Sequence, residues 1–170
     1  MEAFDRIRRD RGDAPAGLVI DVARLDSDGE SLVGEIPVEA LDLDPDDFLF
    51  KPRSGLRYNL TAQLLGEELL VRGSVEEDFI CMCVRCTVEF PWTAVDDEVA
   101  ISVQPGDNFF VDLTDELREC IILCLPSNPV CDEDCKGLCP RCGKNLNNGA
   151  CSCKPVGDDR WGELDGLKTE

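Results

Sequence analysis

The sequence predicts an α+β protein in which an antiparallel β-sheet is covered by one helix and followed by a C-terminal cysteine-rich segment. Hydrophobic and polar residues alternate from residue 56 onwards, as they do in half-buried strands. A later segment spaces its apolar residues as a helix does, and closely spaced cysteine pairs come after it. We therefore expect a β-rich body over residues 1–126 that ends in the helix, a cysteine-rich segment over 127–157 and a tail over 158–170.

The strands are predicted in the following order. Residues 17–22 and 32–36 form an early strand pair, because Asp28-Gly29 between them is a turn signal. The Asp and Pro residues of 44–47 mark a loop. A clear strand covers 56–64 and turns at Gly66 into a strand over 69–75. Two further strands, one running into 80–83 and one around 99–103, complete the sheet.

The helix is predicted to begin near Asp112 and to end at Pro126. Asp112 or Thr114 can cap it, and acidic residues in its first turn favour that end electrostatically. We expect the helix to cover one face of the sheet and to bring 129–131 to the first cysteine pair. Its apolar stripe consists of Leu113, Leu117, Ile121 and Cys124. We expect Cys120 and Cys124 to be part of the core, where a thiol acts as a small hydrophobe.

Eight of the 11 cysteines form four close pairs: Cys83/Cys86, Cys131/Cys135, Cys139/Cys142 and Cys151/Cys153. Two thiolates separated by one to three residues can bind one metal ion from a single turn, and a second pair completes a tetrahedral site. Gly143 after the Cys139-Pro-Arg-Cys142 turn can take the positive φ that such a turn needs. The pattern therefore predicts bound zinc. We expect two structural ions, and one is the minimum.

The grouping of the pairs is a hypothesis with two versions. Cys139/Cys142 and Cys151/Cys153 lie in one short segment, so that closing a loop between them costs little entropy and forms a local zinc-ribbon-like module. The remaining two pairs would then share an ion that joins the β-rich body to the C-terminal segment. In the rival version, the four cysteines between 131 and 142 bind one ion and the other pairs stay unfilled.

Disulfides, redox chemistry and iron–sulfur ligation are the alternatives to zinc for these cysteines. A disulfide framework requires export, but the N-terminus is charged and has no apolar h-region, and an odd number of cysteines cannot all pair. A redox dithiol expects a strand-to-helix context that neither CxxC has. Iron–sulfur ligation is an alternative, because Cys135-x3-Cys139-Pro140 resembles the end of a cluster motif, although the spacing from Cys131 departs from that motif. Cys81 could substitute as a ligand, but its plainer interpretation is a buried neighbour.

The charge of the chain restricts its partners. The net charge is −19 for 170 residues, and a site of four thiolates would add about two negative charges, which makes wrapping of a nucleic acid backbone unfavourable. We therefore expect a basic protein partner. No apolar run is long enough for a membrane span. We expect a cytoplasmic location, or a plastid location if a transit peptide is missing from this chain.

The cysteine-rich segment is a local exception to the acidity. Residues 135–157 contain no Asp or Glu. Their cations are candidates for RNA or partner contact, or they simply offset the negative charge of thiolate-bound zinc. These cations are Lys136, Arg141, Lys144 and Lys154.

An enzyme is not expected. The chain has no histidine, which excludes Ser-His and Cys-His nucleophile systems, and it has no phosphate-binding glycine loop. A zinc site of four thiolates is closed and structural, whereas a catalytic zinc site keeps an open coordination position.

The order of these features resembles the YceD family, described as large ribosomal RNA subunit accumulation proteins. The resemblance is strong over 112–153, which contains Pro-Val-Cys-x3-Cys-Lys-Gly-Leu-Cys-Pro-x-Cys-Gly-x-Asn-Leu-Asn and Cys-x-Cys, and moderate over 56–103, which includes Cys83-Val-Arg-Cys86. It implies a non-enzymatic role in the accumulation or processing of large-subunit ribosomal RNA. The expected partners are a precursor of the large ribosomal subunit, a basic ribosomal protein and large-subunit ribosomal RNA. The alternative is a zinc-ribbon adaptor for proteins unrelated to the ribosome.

Overall fold

The computed structural model describes residues 17–25 and 29–153. The described chain contains seven strands followed by one helix, α1, which covers Thr114–Leu123. The strands are β1 Val19–Asp21, β2 Glu30–Ile36, β3 Phe50–Pro52, β4 Leu56–Leu65, β5 Glu68–Met82, β6 Glu89–Val103 and β7 Phe110–Asp112. Short 3-10 turns occur at Val22–Arg24, Val38–Ala40 and Leu146–Asn148. The first 16 residues of the predicted body and the predicted tail over 158–170 lie outside the described residues.

A five-stranded antiparallel sheet forms the body. β2 pairs with β4, β4 with β5, and β5 with both β3 and β6. Glu68 and Leu65 close the β4–β5 hairpin across Gly66, which has a φ of 67°. This hairpin was predicted from the alternation and the glycine, and the structure confirms it. β6 pairs only with β5 within the described chain.

The predicted early strand pair is wrong. β1 does not pair with β2; it pairs with β7, with Ile20 opposite Val111. The N–H of Leu113 donates to the carbonyl of Leu18 at 2.9 Å, so that this small sheet lies directly before the helix. Leu18 and Ile20 are buried in the main core, and this burial, which a local turn signal does not reveal, selects the distant partner.

The two strands predicted over 69–75 and into 80–83 are one continuous strand, β5. Its inward face stays buried along the whole length, from Leu69 through Val75 to Cys81. The residues between the two predicted strands continue β5, and Glu77 among them points inward and is fully buried. A β-bulge between Gly73 and Val75 is the only register shift between β5 and β6 within the described residues.

The helix joins the same core. Its buried residues Leu117 and Ile121 belong to the cluster formed by the inward face of the sheet. Asp112 accepts hydrogen bonds from the N–H of Thr114 at 3.0 Å and from its hydroxyl at 2.6 Å, so the polar start of the helix lies where the sequence predicts it. That the helix covers a whole face of the sheet stays a prediction.

No helix in the described part of the chain combines the length and the apolar character that crossing a membrane requires.

The loop predicted at 44–47 is confirmed. There Asp47 accepts the N–H groups of Leu49 and Phe50, each at 2.7 Å, which sets the direction of the chain into β3.

Candidate metal centres

The first cysteine pair lies in the tight connection between β5 and β6. Cys83 directly follows the last residue of β5, and its N–H donates to the carbonyl of Val88 at 3.0 Å. Thr87 donates its N–H to the carbonyl of Cys83 at 2.9 Å and has a φ of 57°. The turn therefore directs the thiols of Cys83 and Cys86 to one side, at the end of the longest hairpin.

Backbone hydrogen bonds attach the C-terminal segment to this turn. The N–H of Val84 donates to the carbonyl of Pro129, and the N–H of Leu138 donates to the carbonyl of Arg85, both at 2.9 Å. The guanidinium of Arg85 also donates to the carbonyl of Cys135 at 3.2 Å. Residues 129–138 thus lie against the first cysteine pair in a fixed register, as was expected for residues 129–131.

The first group of four thiols consists of Cys83, Cys86, Cys131 and Cys135. Its sulfur atoms all lie within 4.8 Å of one another. Sγ of Cys83 is 3.8 Å from Sγ of Cys135, and Sγ of Cys86 is 3.6 Å from Sγ of Cys131. Cys83, Cys86 and Cys135 are buried in a small cluster of their own, separate from the main core. We call this group the first tetrad.

The second tetrad is local in sequence and consists of Cys139, Cys142, Cys151 and Cys153. Gly143 has a φ of 70° and donates its N–H to the carbonyl of Cys139 at 2.9 Å, so the predicted need for glycine in this turn is confirmed. Sγ of Cys151 lies 3.4 Å from Sγ of Cys139. The eight sulfur atoms are therefore grouped as the loop-length argument predicts, and the rival grouping over 131–142 does not occur.

Both tetrads have the geometry that a zinc ion requires. A zinc–sulfur bond of about 2.3 Å with tetrahedral angles places sulfur atoms about 3.8 Å apart. The separations of 3.4 to 3.8 Å in the tetrads are close to this value. They are far longer than a disulfide bond of about 2.05 Å, and all 11 cysteines are free thiols. The donor set therefore fits zinc at both places.

Hydrogen bonds favour thiolates at defined positions. Burial opposes ionisation of Cys83, but the N–H groups of Cys131, Cys86 and Arg85 outweigh it and lower the pKa of this thiol to about 6. The N–H groups of Cys142 and Arg141 lower the pKa of Cys139 to about 6. Each tetrad thus contains a thiol that ionises near neutral pH, which is the form that binds a metal ion.

In each tetrad, another thiol keeps its proton up to high pH when no cation is bound. The hydrogen bond to Cys86 and then burial raise the pKa of Cys131 to about 12. The hydrogen bond to Cys142 and then burial raise the pKa of Cys153 to about 12. A proton is thus retained within each tetrad, and a divalent cation would replace it.

The sequence reasoning did not assign Asn147 to a metal centre. Its Nδ2 donates to Sγ of Cys135 at 3.3 Å, and its Oδ1 accepts the N–H of Lys136 at 2.8 Å. The first of these bonds is the largest cause of the lowered pKa of Cys135. Asn145 in turn accepts the N–H of Asn147 at 2.9 Å. The only sequence signal was an asparagine shortly after the Cys139–Gly143 turn.

Three of the four candidate cations lie in the described part of the cysteine-rich segment. The side chains of Lys136, Arg141 and Lys144 are exposed. Nζ of Lys144 donates to the carbonyl of Ala150 at 2.8 Å, which closes the loop of the second tetrad. Lys154 lies outside the described residues. The contact of these cations with RNA or a partner stays a prediction.

The three remaining cysteines lie outside the tetrads. Cys81 is fully buried in the main core, and burial raises the pKa of its thiol. Cys120 and Cys124 are half-buried and pack against the same core. Their predicted role as core residues agrees with this placement.

Comparison with known proteins shows which family the C-terminal part of the chain resembles. The family model described as large ribosomal RNA subunit accumulation protein YceD matches residues 93–168, which include the helix and six of the eight tetrad cysteines. This part of the chain is similar to the YceD family. The YceD resemblance noted from the residues is therefore confirmed.

Individual relatives cover parts of the chain. A protein of Zea mays named large ribosomal RNA subunit accumulation protein YCED homolog 1, chloroplastic, is 44% identical over 52 residues, which are 30% of this chain and 18% of that protein. The Arabidopsis thaliana protein of the same name is 33% identical over 61 residues, which are 35% of this chain and 19% of the relative. An uncharacterized protein of Mycobacterium tuberculosis is 30% identical over 128 residues, which are 64% of this chain and 60% of the relative.

The chain thus spans less than two thirds of the length of each of these relatives. No solved structure matches this protein.

Proposed function

We propose that this protein is a non-enzymatic ribosome biogenesis factor that supports the accumulation or processing of large-subunit ribosomal RNA. The observation that carries the proposal is the family match over 93–168, the region that builds the helix, the second tetrad and half of the first. The plant relatives are named for large ribosomal RNA subunit accumulation. We place its action in the cytoplasm, or in a plastid as the names of the plant relatives state.

The metal centres would hold the molecule together rather than perform chemistry. Each tetrad offers four thiolates, which fill the coordination shell of a tetrahedral zinc ion and leave no position for a substrate. The first tetrad would tie the β5–β6 turn to residues 131–135, which are far apart in the sequence. Zinc binding there would contribute directly to folding.

The charge of the chain favours a basic partner. The net charge of −19 repels nucleic acid, and it attracts the basic proteins that bind ribosomal RNA. We propose that the protein acts on a basic ribosomal protein or on an assembly intermediate. The exposed cations of the cysteine-rich segment are the part of the described surface best suited to RNA contact.

The test is a depletion experiment with rescue. The ratio of large- to small-subunit ribosomal RNA and the gradient profile of assembly intermediates are measured in depleted cells and in cells re-supplied with the protein. A selective loss of large-subunit RNA that the re-supplied protein reverses is expected. An unchanged ratio and profile would contradict the proposal and favour the alternative, a zinc-ribbon adaptor for proteins unrelated to the ribosome.

A further inference from the structure

The outer face of the sheet, opposite the core, carries a concave surface that no described residue covers. It spans β2, β4, β5 and β6 and has a volume of about 610 Å³. The side chains next to it along the strands, such as Leu32 and Ala94, point into the core and are buried. The concavity is therefore a property of the solvent-facing side of the sheet, far from the turns that hold the tetrads.

Two valines make part of this surface apolar. The side chain of Val33 on β2 is 73% exposed and that of Val95 on β6 is 43% exposed. Single exposed apolar residues are common on protein surfaces. Here two of them line the same concavity from opposite edges of the sheet. A partner that lies across the sheet would bury both.

The charged residues around the valines select the partner. Glu35, Glu76 and Asp97 line the concavity together with a single cation, Arg57. The guanidinium of Arg57 is already engaged, with Glu76 at 2.8 Å and Asp78 at 3.1 Å. The free charge of this surface is therefore negative, and carboxylates at 35 and 97 are exposed at its two edges.

The edge of the sheet leaves the concavity open to an extended chain. β6 is 15 residues long and pairs only with β5 among the described strands. Edge strands present unpaired backbone groups along their free side. An extended peptide can therefore enter beside Val95 without displacing any described element.

We propose that this concavity binds an extended basic segment of a partner protein, with aliphatic side chains on the two valines and Lys or Arg side chains on the carboxylates. The inference rests on the proposed function, because it locates the surface that would hold a basic ribosomal protein. Charge complementarity decides between partner classes. An RNA strand would face carboxylates here.

The test uses the full chain loaded with zinc and a fluorescent 12-residue peptide of alternating lysine and valine. Binding is measured by anisotropy at low salt, with a glutamate–valine peptide and oligouridine as reference ligands. The lysine–valine peptide is expected to bind and the two reference ligands are not. Binding of the peptide should weaken as salt rises, because screening acts on exposed charges.

Two pairs of variants locate the contact. Reversal of both edge charges in Glu35→Lys/Asp97→Lys is expected to weaken peptide binding about tenfold or more. The control Glu67→Lys/Asp107→Lys changes the net charge equally at exposed positions outside the concavity, and should weaken binding less than about threefold. Val33→Ser/Val95→Ser leaves the charge unchanged and is expected to weaken binding about three- to tenfold. Leu123→Ser, 84% exposed and outside the concavity, is its control.

The outcomes are distinct. Absence of binding, equal losses in the concavity variants and their controls, or oligouridine binding that depends on Val33 and Val95 would each overturn the proposal. If the charge-reversal variant does not fold by circular dichroism, the valine pair decides. Peptide binding at this surface combined with an unchanged ribosomal RNA ratio would leave the docking surface in place and remove the ribosomal role. The reverse result would remove the docking surface alone.

Discussion

Asn147 donates a side-chain N–H to the sulfur of Cys135 at 3.3 Å, and in this way a residue within the loop of the second tetrad supports a thiolate of the first. The same amide accepts the N–H of Lys136 at 2.8 Å, which fixes its orientation. Outer contacts of this kind orient metal ligands and stabilise their ionised form. The two candidate centres are thus physically connected, although each has its own four sulfur atoms.

Removal of this amide should weaken one centre. Asn147→Ala is expected to lower the zinc affinity of the first tetrad about 10- to 100-fold, because Cys135 loses the donor that stabilises its thiolate. Competition with a chromophoric chelator measures the affinity. Asn148→Ala is the control, since Asn148 is an exposed neighbour in the same turn. Equal affinities of the two variants would contradict the proposed support of Cys135 by Asn147.

A second prediction concerns the backbone of the Cys139–Cys142 turn. Gly143 has a φ of 70°, and an added Cβ there would meet nothing within 4 Å, so that only backbone strain opposes a side chain. Gly143→Ala is expected to lower the free energy of unfolding by about 1 kcal/mol and to weaken zinc binding at the second tetrad.

Gly106 offers a matched control for this change. Its φ is 60° and its surroundings are equally open, but it lies in the loop before β7. Gly106→Ala should cost about as much stability by the same strain, and should leave zinc affinity unchanged. Chemical unfolding and chelator competition separate the two effects. Loss of zinc affinity in both variants would show that the turn geometry at Gly143 is not the cause.

A third prediction concerns the buried acid of β5. Glu77 is fully buried, its carboxylate oxygens accept no hydrogen bond in the described structure, and burial raises the pKa of its carboxyl from 4.5 to about 7. Because the pKa is higher in the folded state, this group supports the fold fully below pH 4.5 and loses that contribution as pH rises through 7. The loss is on the order of 3 kcal/mol.

Glu77→Gln removes this titration while keeping the shape of the side chain. The variant and the unmodified protein should be about equally stable at about pH 4, and the variant should be more stable at pH 8 by about 3 kcal/mol. Denaturant unfolding across this range measures the difference. Glu98→Gln changes an exposed carboxylate on the neighbouring strand, and its effect should stay within about 0.5 kcal/mol throughout. A pH-independent difference for Glu77→Gln would contradict the burial of a titrating carboxyl.

The sequence could predict features that depend on interactions between residues close together in the chain. The grouping of the cysteines follows from loop entropy, since Cys139 and Cys153 are close in the chain. The need for a glycine at 143 follows from turn geometry, and the β4–β5 hairpin follows from alternation. In each case the energy that decides the structure comes from neighbours along the chain.

The features that the sequence could not predict depend on distant partners. β1 is three residues long, and it pairs with β7 because burial of Ile20 completes the core there. A charged residue such as Glu77 is rarely buried, and only the continuity of β5 places it inside. Asn147 becomes a support of Cys135 only after the two tetrads lie side by side.

The central claim is that the two tetrads each bind one zinc ion and that the first joins the sheet to the C-terminal segment. Zinc bound per chain, measured by mass spectrometry with an independent protein assay, tests it most directly. The unmodified protein and the control Cys81→Ala/Cys120→Ala should hold one ion for each tetrad. Cys83→Ser/Cys86→Ser should retain only the ion of the second tetrad, and Cys139→Ser/Cys142→Ser only that of the first. An unmodified protein without zinc, or an unchanged zinc content in Cys83→Ser/Cys86→Ser, would contradict the account.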